Sequence, residues 1–162
     1  MRILDSSHNE LSTLDVLLLP DGLVRFIAQN VSIDSVEHIA FPGESLEELD
    51  LSSNRLTLTG NIGQCFHLIT LTLSENALTS PTFVNELMRL KGLNLGRNQI
   101  ATLDDVVFSP LLQHLNIMYN IMSSLNGVAL PTSLRYFSAR GCGLRSFAGI
   151  EKLMNLEDLD LT

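Results

Sequence analysis

The chain has 162 residues with a formal net charge of −8; 45% are hydrophobic, 6% aromatic, and none is Trp. That length suits one domain with a sizeable core, and the acidic balance argues against a general nucleic-acid binder. No apolar run approaches the ~18 residues that cross a bilayer, no signal-peptide pattern opens the chain, and two cysteines are too few for a disulfide-stapled fold.

In chain order, the segments "MRILDSSHNEL" from Met1 and "LVRFIAQNVSI" from Leu23 introduce a pattern that then becomes regular. "LEELDLSSNRL" begins at Leu46, "LITLTLSENAL" at Leu68, "LKGLNLGRNQI" at Leu90 and "LQHLNIMYNIM" at Leu112, each offset from the last by 22 residues. "LRYFSARGCGL" at Leu134 and a truncated "LEDLDLT" at Leu156 complete the series. Only the step from Leu23 to Leu46 is 23 residues. Place nine of the repeat holds Asn9, Asn54, Asn76, Asn98, Asn120 and Cys142, while Val31 interrupts the row with Asn30 one place early. That irregularity predicts a one-residue slip or a bulge around residues 28–33.

The four copies from Leu46 to Leu112 fit L-x-x-L-x-L-x-x-N-x-L, the others are weaker copies of it, and a fixed period of this kind marks a solenoid. The chain resembles the leucine-rich repeat family, in its 22-residue class, the type found in a regulatory subunit of a protein phosphatase. The return half agrees: place seventeen is aliphatic in all seven full repeats (Leu17, Ile39, Ile62, Val84, Val106, Val128 and Ile150). Place fourteen, from Leu14 to Phe147, is mostly apolar, with Thr59 and Pro81 as soft spots. The resemblance implies an α/β solenoid, a horseshoe with a concave parallel sheet of about eight short strands and a convex side mostly of 3₁₀ turns or brief helices. The alternating L-x-L segment is then a strand with its leucines turned inward.

On the convex side "SPTFVNELMRL" predicts a short α-helix, because Ser80 can cap it and Pro81 suits its first position. Phe83, Leu87 and Leu90 would share its buried face. One domain is expected over 1–162. Since the chain starts inside one strand and stops inside another, it reads as a piece of a longer array whose bare edges could pair end to end.

Enzyme and metal signatures are not visible. His8, His38, His67 and His114 lie in different repeats without metal-ligand spacing, and no phosphate loop or nucleophile elbow appears. No catalytic residue, metal or cofactor is therefore assigned. Cys65 falls at place twenty, a core slot. Cys142 takes the Asn place, where the family accepts Cys, so both thiols read as structural. Asn30-Val31-Ser32 is an N-glycosylation sequon of low specificity. With no leader visible, a cytoplasmic location is favoured if this is the whole chain.

In a horseshoe, places two, three, five, seven and eight face the concave side. Repeats three and four give an acidic half. Repeats five to seven bring together Lys91, Arg97, His114, Met118, Tyr119, Arg135, Tyr136 and Arg140, which include four of the ten basic residues and both tyrosines. Tyr, Arg and Met are enriched in interface cores. The expectation is a non-catalytic protein-interaction module whose partner carries acidic and apolar groups, with no nucleic acid and no membrane span. The alternative is the ligand-sensing or docking region of a larger signalling protein, such as a receptor or kinase.

Overall fold

A computed structural model describes residues 2–9, 19–146 and 148–162. The readings of Met1, Leu14, Leu17 and Phe147 lie outside these described residues. The rest form a single parallel sheet of eight three-residue strands in sequence order. The strands are β1 (Ile3–Asp5), β2 (Arg25–Ile27), β3 (Glu48–Asp50), β4 (Thr70–Thr72), β5 (Gly92–Asn94), β6 (His114–Asn116), β7 (Tyr136–Ser138) and β8 (Asp158–Asp160). Each occupies places three to five of its repeat. The sequence period becomes a spatial register: Leu49, Leu71, Leu93, Leu115 and Phe137 stand directly opposite one another.

The core is the inward row of each repeat stacked on the next. Leu46, Leu49, Leu51 and Leu56 are completely buried, and their equivalents in repeats four to six are buried as well, while towards the C-terminal edge Leu144, Leu156 and Leu161 are partly buried and Leu159 is exposed. Burying one such side chain contributes about 1.5–3 kcal/mol, and each internal repeat stacks its inward row between two neighbours. Place seventeen closes the core from the convex side through Ile39, Ile62, Val84 and Val106, with Val128 and Ile150 partly buried against it. Pro81 is buried, so the ring fills the apolar slot that its place in the repeat requires.

Two local expectations are corrected. The helix expected over Ser80–Leu90 is a 3₁₀ turn, Thr82–Glu86, with Pro81 at its N-cap position and no side-chain cap. With three residues per turn the 3₁₀ winding sets Val84 and Leu87 on one side, and both are buried in the core. The same solution recurs at Gly60–Gln64 and Ile150–Lys152, and among the described residues no α-helix forms.

The second correction concerns residues 28–33, where the pairing does not slip. The Asn30 amide bonds the Ser52 carbonyl just as Ser53 bonds Ser74 one repeat later. Val31 is buried at the Asn place, and the chain adjusts only through a left-handed Ser32, φ 62°. Asn54 Oδ1 then accepts from both the Val31 and Ile33 amides. The extra residue of the 23-residue step is absorbed on the convex return, where both Ser45 and Leu46 amides fold back onto the Pro42 carbonyl.

Candidate functional site

Place nine holds the turn out of each strand. Asn98 is typical: its Nδ2 donates to the Leu73 and Leu95 carbonyls, each at 3.0 Å, while its Oδ1 accepts from the Leu78 amide at 2.9 Å. Asn76 and Asn120 repeat the pattern one strand to either side. A buried polar side chain is tolerable because every one of its groups is paired. Cys142 continues the row with one bond, from Sγ to the Ile117 carbonyl at 3.2 Å. Burial pushes its thiol above the ordinary range and pushes Cys65 up to about 11. Both thiols are buried and unpaired with each other, which disfavours the reactive thiolate.

A second ladder escaped the sequence reading, which had assigned place five to open binding surface. The Oδ1 atoms of Asp5, Asp50, Asn94, Asn116 and Asp160 accept the amide two residues ahead, those of Ser7, Ser52, Gly96, Met118 and Thr162, at 3.0–3.2 Å. These are Asx turns that bend the chain away from the sheet. The signal was present, since Asp or Asn recurs at one place of five repeats. For Asp160 the Thr162 hydroxyl and amide, and then Arg140, hold the carboxyl below its usual range.

The concave face of β4 to β8 forms an open groove of about 690 Å³. Of the eight candidate residues, Lys91, His114 and Tyr136 line it. Gly92 leaves the β5 backbone bare between Thr70 and His114; a Cβ there would meet nothing nearer than the Thr70 methyl at 3.6 Å. The His114 and Tyr136 rings, on adjacent strands, stack with centroids 4.6 Å apart and planes 9° from parallel.

The other five candidates make up the rim. Arg97 lies over the Tyr119 ring, its guanidinium carbon 4.6 Å from the centroid. Tyr119 lies in turn against Gly141, where any Cβ would come within 2.6 Å of its ring carbons. Met118 fills the space that Gly96 leaves open. Arg135 pairs with Glu157 at 2.8 Å, and the Tyr136 hydroxyl donates to the same carboxylate at 3.2 Å.

This arrangement changes the electrostatic expectation. The basic strands do not stand as a free positive patch, because their arginines reach to the acidic strands beside them. Arg97 pairs with Glu75 at 3.7 Å and Arg140 with Asp160 at 4.0 Å, as Arg135 does with Glu157. All these pairs are about half exposed, so they order the rim more than they stabilise the fold. Lys91 has no ion-pair partner among the described residues. Among those residues no group of His, Cys, Asp or Glu is placed to hold a metal ion, and no helix is long and apolar enough to cross a membrane.

Comparison with known proteins bears on the fold. The Leucine Rich Repeat family model matches residues 45–66, the third repeat. No curated protein sequence matches the chain. Among solved structures, the functional domain of InlJ from Listeria monocytogenes, described as including a cysteine ladder, is 26% identical with a TM-score of 0.76. That match covers 86% of this chain and 30% of that domain's chain. An internalin, inlF, of the same organism is 21% identical with a TM-score of 0.75, covering 86% of this chain and 42% of its own. A leucine-rich repeat protein of Leptospira interrogans is 26% identical with a TM-score of 0.55, over 85% of this chain and 43% of that one. The chain thus spans less than half the length of each of these proteins. None of the matches carries the finer likeness to a phosphatase regulatory subunit. By repeat signature at residues 45–66 and by its parallel solenoid, the chain has the leucine-rich repeat fold and is similar to leucine-rich repeat proteins.

Proposed function

We propose that the chain is a non-catalytic protein-interaction module that binds a partner through the concave face of β5 to β7. The observation that carries this reading is the open groove walled by the stacked His114 and Tyr136 rings. An exposed aromatic wall beside bare strand backbone offers apolar area that is already ordered, so little side-chain entropy is lost on binding. Arg97, Tyr119, Arg135 and Arg140 supply a polar rim of the composition that interfaces favour. Solenoids of stacked repeats use their extended concave surfaces for binding, which agrees with the fold.

Peptides selected from a display library on the immobilised protein test this. The Tyr136→Ala/Arg140→Ala variant should keep its thermal melt, since both side chains are exposed, and should bind the selected peptides about ten-fold or more weakly. Undiminished binding across the selected set would remove the reading.

A second reading, a docking region within a larger signalling protein, draws on the fact that the structural relatives are more than twice as long as their matched part. The coding sequence on either side of residues 1–162 decides it.

A further inference from the structure

The rim arginines are already paired, so the charges left to a partner inside the groove are few and well separated. Of the groove's lining, Lys91 is the one Lys or Arg, and it has no ion pair among the described residues. The lining carboxylates are Asp158 and Asp160. Asp160 is engaged by Thr162 and Arg140. Asp158 is exposed, and its side chain has neither a hydrogen bond nor an ion pair among the described residues. Between Lys91 and Asp158 stand, strand by strand, the His114 and Tyr136 rings. The groove therefore has one positive end, one negative end and an aromatic middle.

We infer that the groove takes an extended peptide running across the strands, with an acidic residue over Lys91, a basic residue over Asp158 and an apolar side chain between them. This rests on the concave-face reading and gives its partner a chemical class. The spacing follows from the sheet: β5 and β8 are three strand separations apart, about 14 Å. An extended chain covers that span in about four residues. The apolar side chain lies midway, against the stacked His114 and Tyr136 rings, and the bare strand at Gly92 leaves room for the peptide beside them. Since the peptide meets side chains and not a strand edge, either chain direction satisfies the two charges. The rule is therefore one acid and one base about four residues apart, in either order.

The protein carries its own reporter. It has two tyrosines and no Trp, with Tyr136 in the groove and Tyr119 on its rim. Intrinsic tyrosine fluorescence can be titrated with three peptides of about nine residues lacking Tyr and Trp, each with a central Leu and flanking charges at the derived spacing. One carries an acid and a base, one two acids, one two bases. The wild type should bind the mixed peptide about ten-fold more tightly than the other two. Lys91→Glu should shift the preference to the two-base peptide, and Asp158→Lys to the two-acid peptide. Gly92→Leu should fill the groove and abolish all three, and its circular dichroism should stay native because a Cβ at this position makes only an ordinary contact with Thr70.

Equal affinity for all three peptides, unmoved by either charge variant but lost in Gly92→Leu, would overturn the charge rule and leave the concave-face reading standing. No response to any peptide would overturn both. Binding that persists in a folded Gly92→Leu would place the peptides elsewhere and overturn the inference.

Discussion

Places eight and nine of the repeat are neighbours in the chain and opposites in every physical respect. From Asn54 to Asn120 place nine is always Asn, half-buried or buried, and each side chain bonds backbone donors and acceptors of its own and adjacent repeats. Place eight points to solvent and holds His8, Asn30, Ser53, Glu75, Arg97, Tyr119 and Gly141, seven different residues with one backbone conformation, φ 52° to 66°. That left-handed conformation costs an L-residue about 1 kcal/mol or more and costs glycine almost nothing. Only Gly141 has the residue the backbone prefers. The lesson is that one residue step separates a position set by the backbone from one where side chains are kept at the backbone's expense. Strain retained in this way gathers at functional sites.

The comparison can be broken or sharpened in order of expected size. Leu95→Ala, in the wholly buried row beside the Asn ladder, should lower stability by about 2–5 kcal/mol through the cavity it leaves. A urea unfolding midpoint unchanged from wild type would contradict the stacked register of the strands. Asn98→Ala orphans the Leu78 amide in a buried site, while the Leu73 and Leu95 carbonyls keep their bonds from Asn76 and Asn120, and should cost about 1–3 kcal/mol. If place nine were as tolerant as place eight, chemical denaturation would show almost no loss.

Gly141→Ala tests the one place-eight position where the backbone has its way. The added methyl meets both a left-handed φ and the Tyr119 ring, for a loss of about 1–2 kcal/mol. Part of that loss should vanish in a Tyr119→Ala background, so a double-mutant cycle separates the ring from the backbone. At the small end, Arg97→Gly should raise stability by under about 1 kcal/mol, once the lost rim ion pair is set against the relieved backbone. It should also weaken peptide binding. A variant that gained stability and bound as before would show that place eight holds its side chains for no functional reason.

Much of the fold was legible because the repeat makes it so. A 22-residue offset forces equivalent residues onto adjacent strands, so the inward leucines, the aliphatic seventeenth place and the Asn row could be aligned on paper and appear as stacked rows. Cys142 could be placed in that row for the same reason, and its bond to Ile117 is the one its register requires. The convex return was less legible, because 3₁₀ and α turns share the same apolar spacing over so few residues. Phe83, Val84 and Leu87 suited either. Only the structure shows the tighter winding, at Thr82–Glu86.

The candidate site divides along the same line. By itself the sequence assigned Lys91, Arg97, His114, Met118, Tyr119, Arg135, Tyr136 and Arg140 to three adjacent repeats, since the period settles the repeat. Only the tertiary structure decided what those residues do to one another. It paired the arginines with Glu75, Glu157 and Asp160 and stacked His114 on Tyr136. It also spent the Asp and Asn of place five on turning the chain, and so left Lys91 as the groove's unpaired cation among the described residues. The reason is physical. A repeat fixes where each Cα stands, but exposed side chains choose among neighbours within reach, and that choice depends on distances between strands that no single repeat contains.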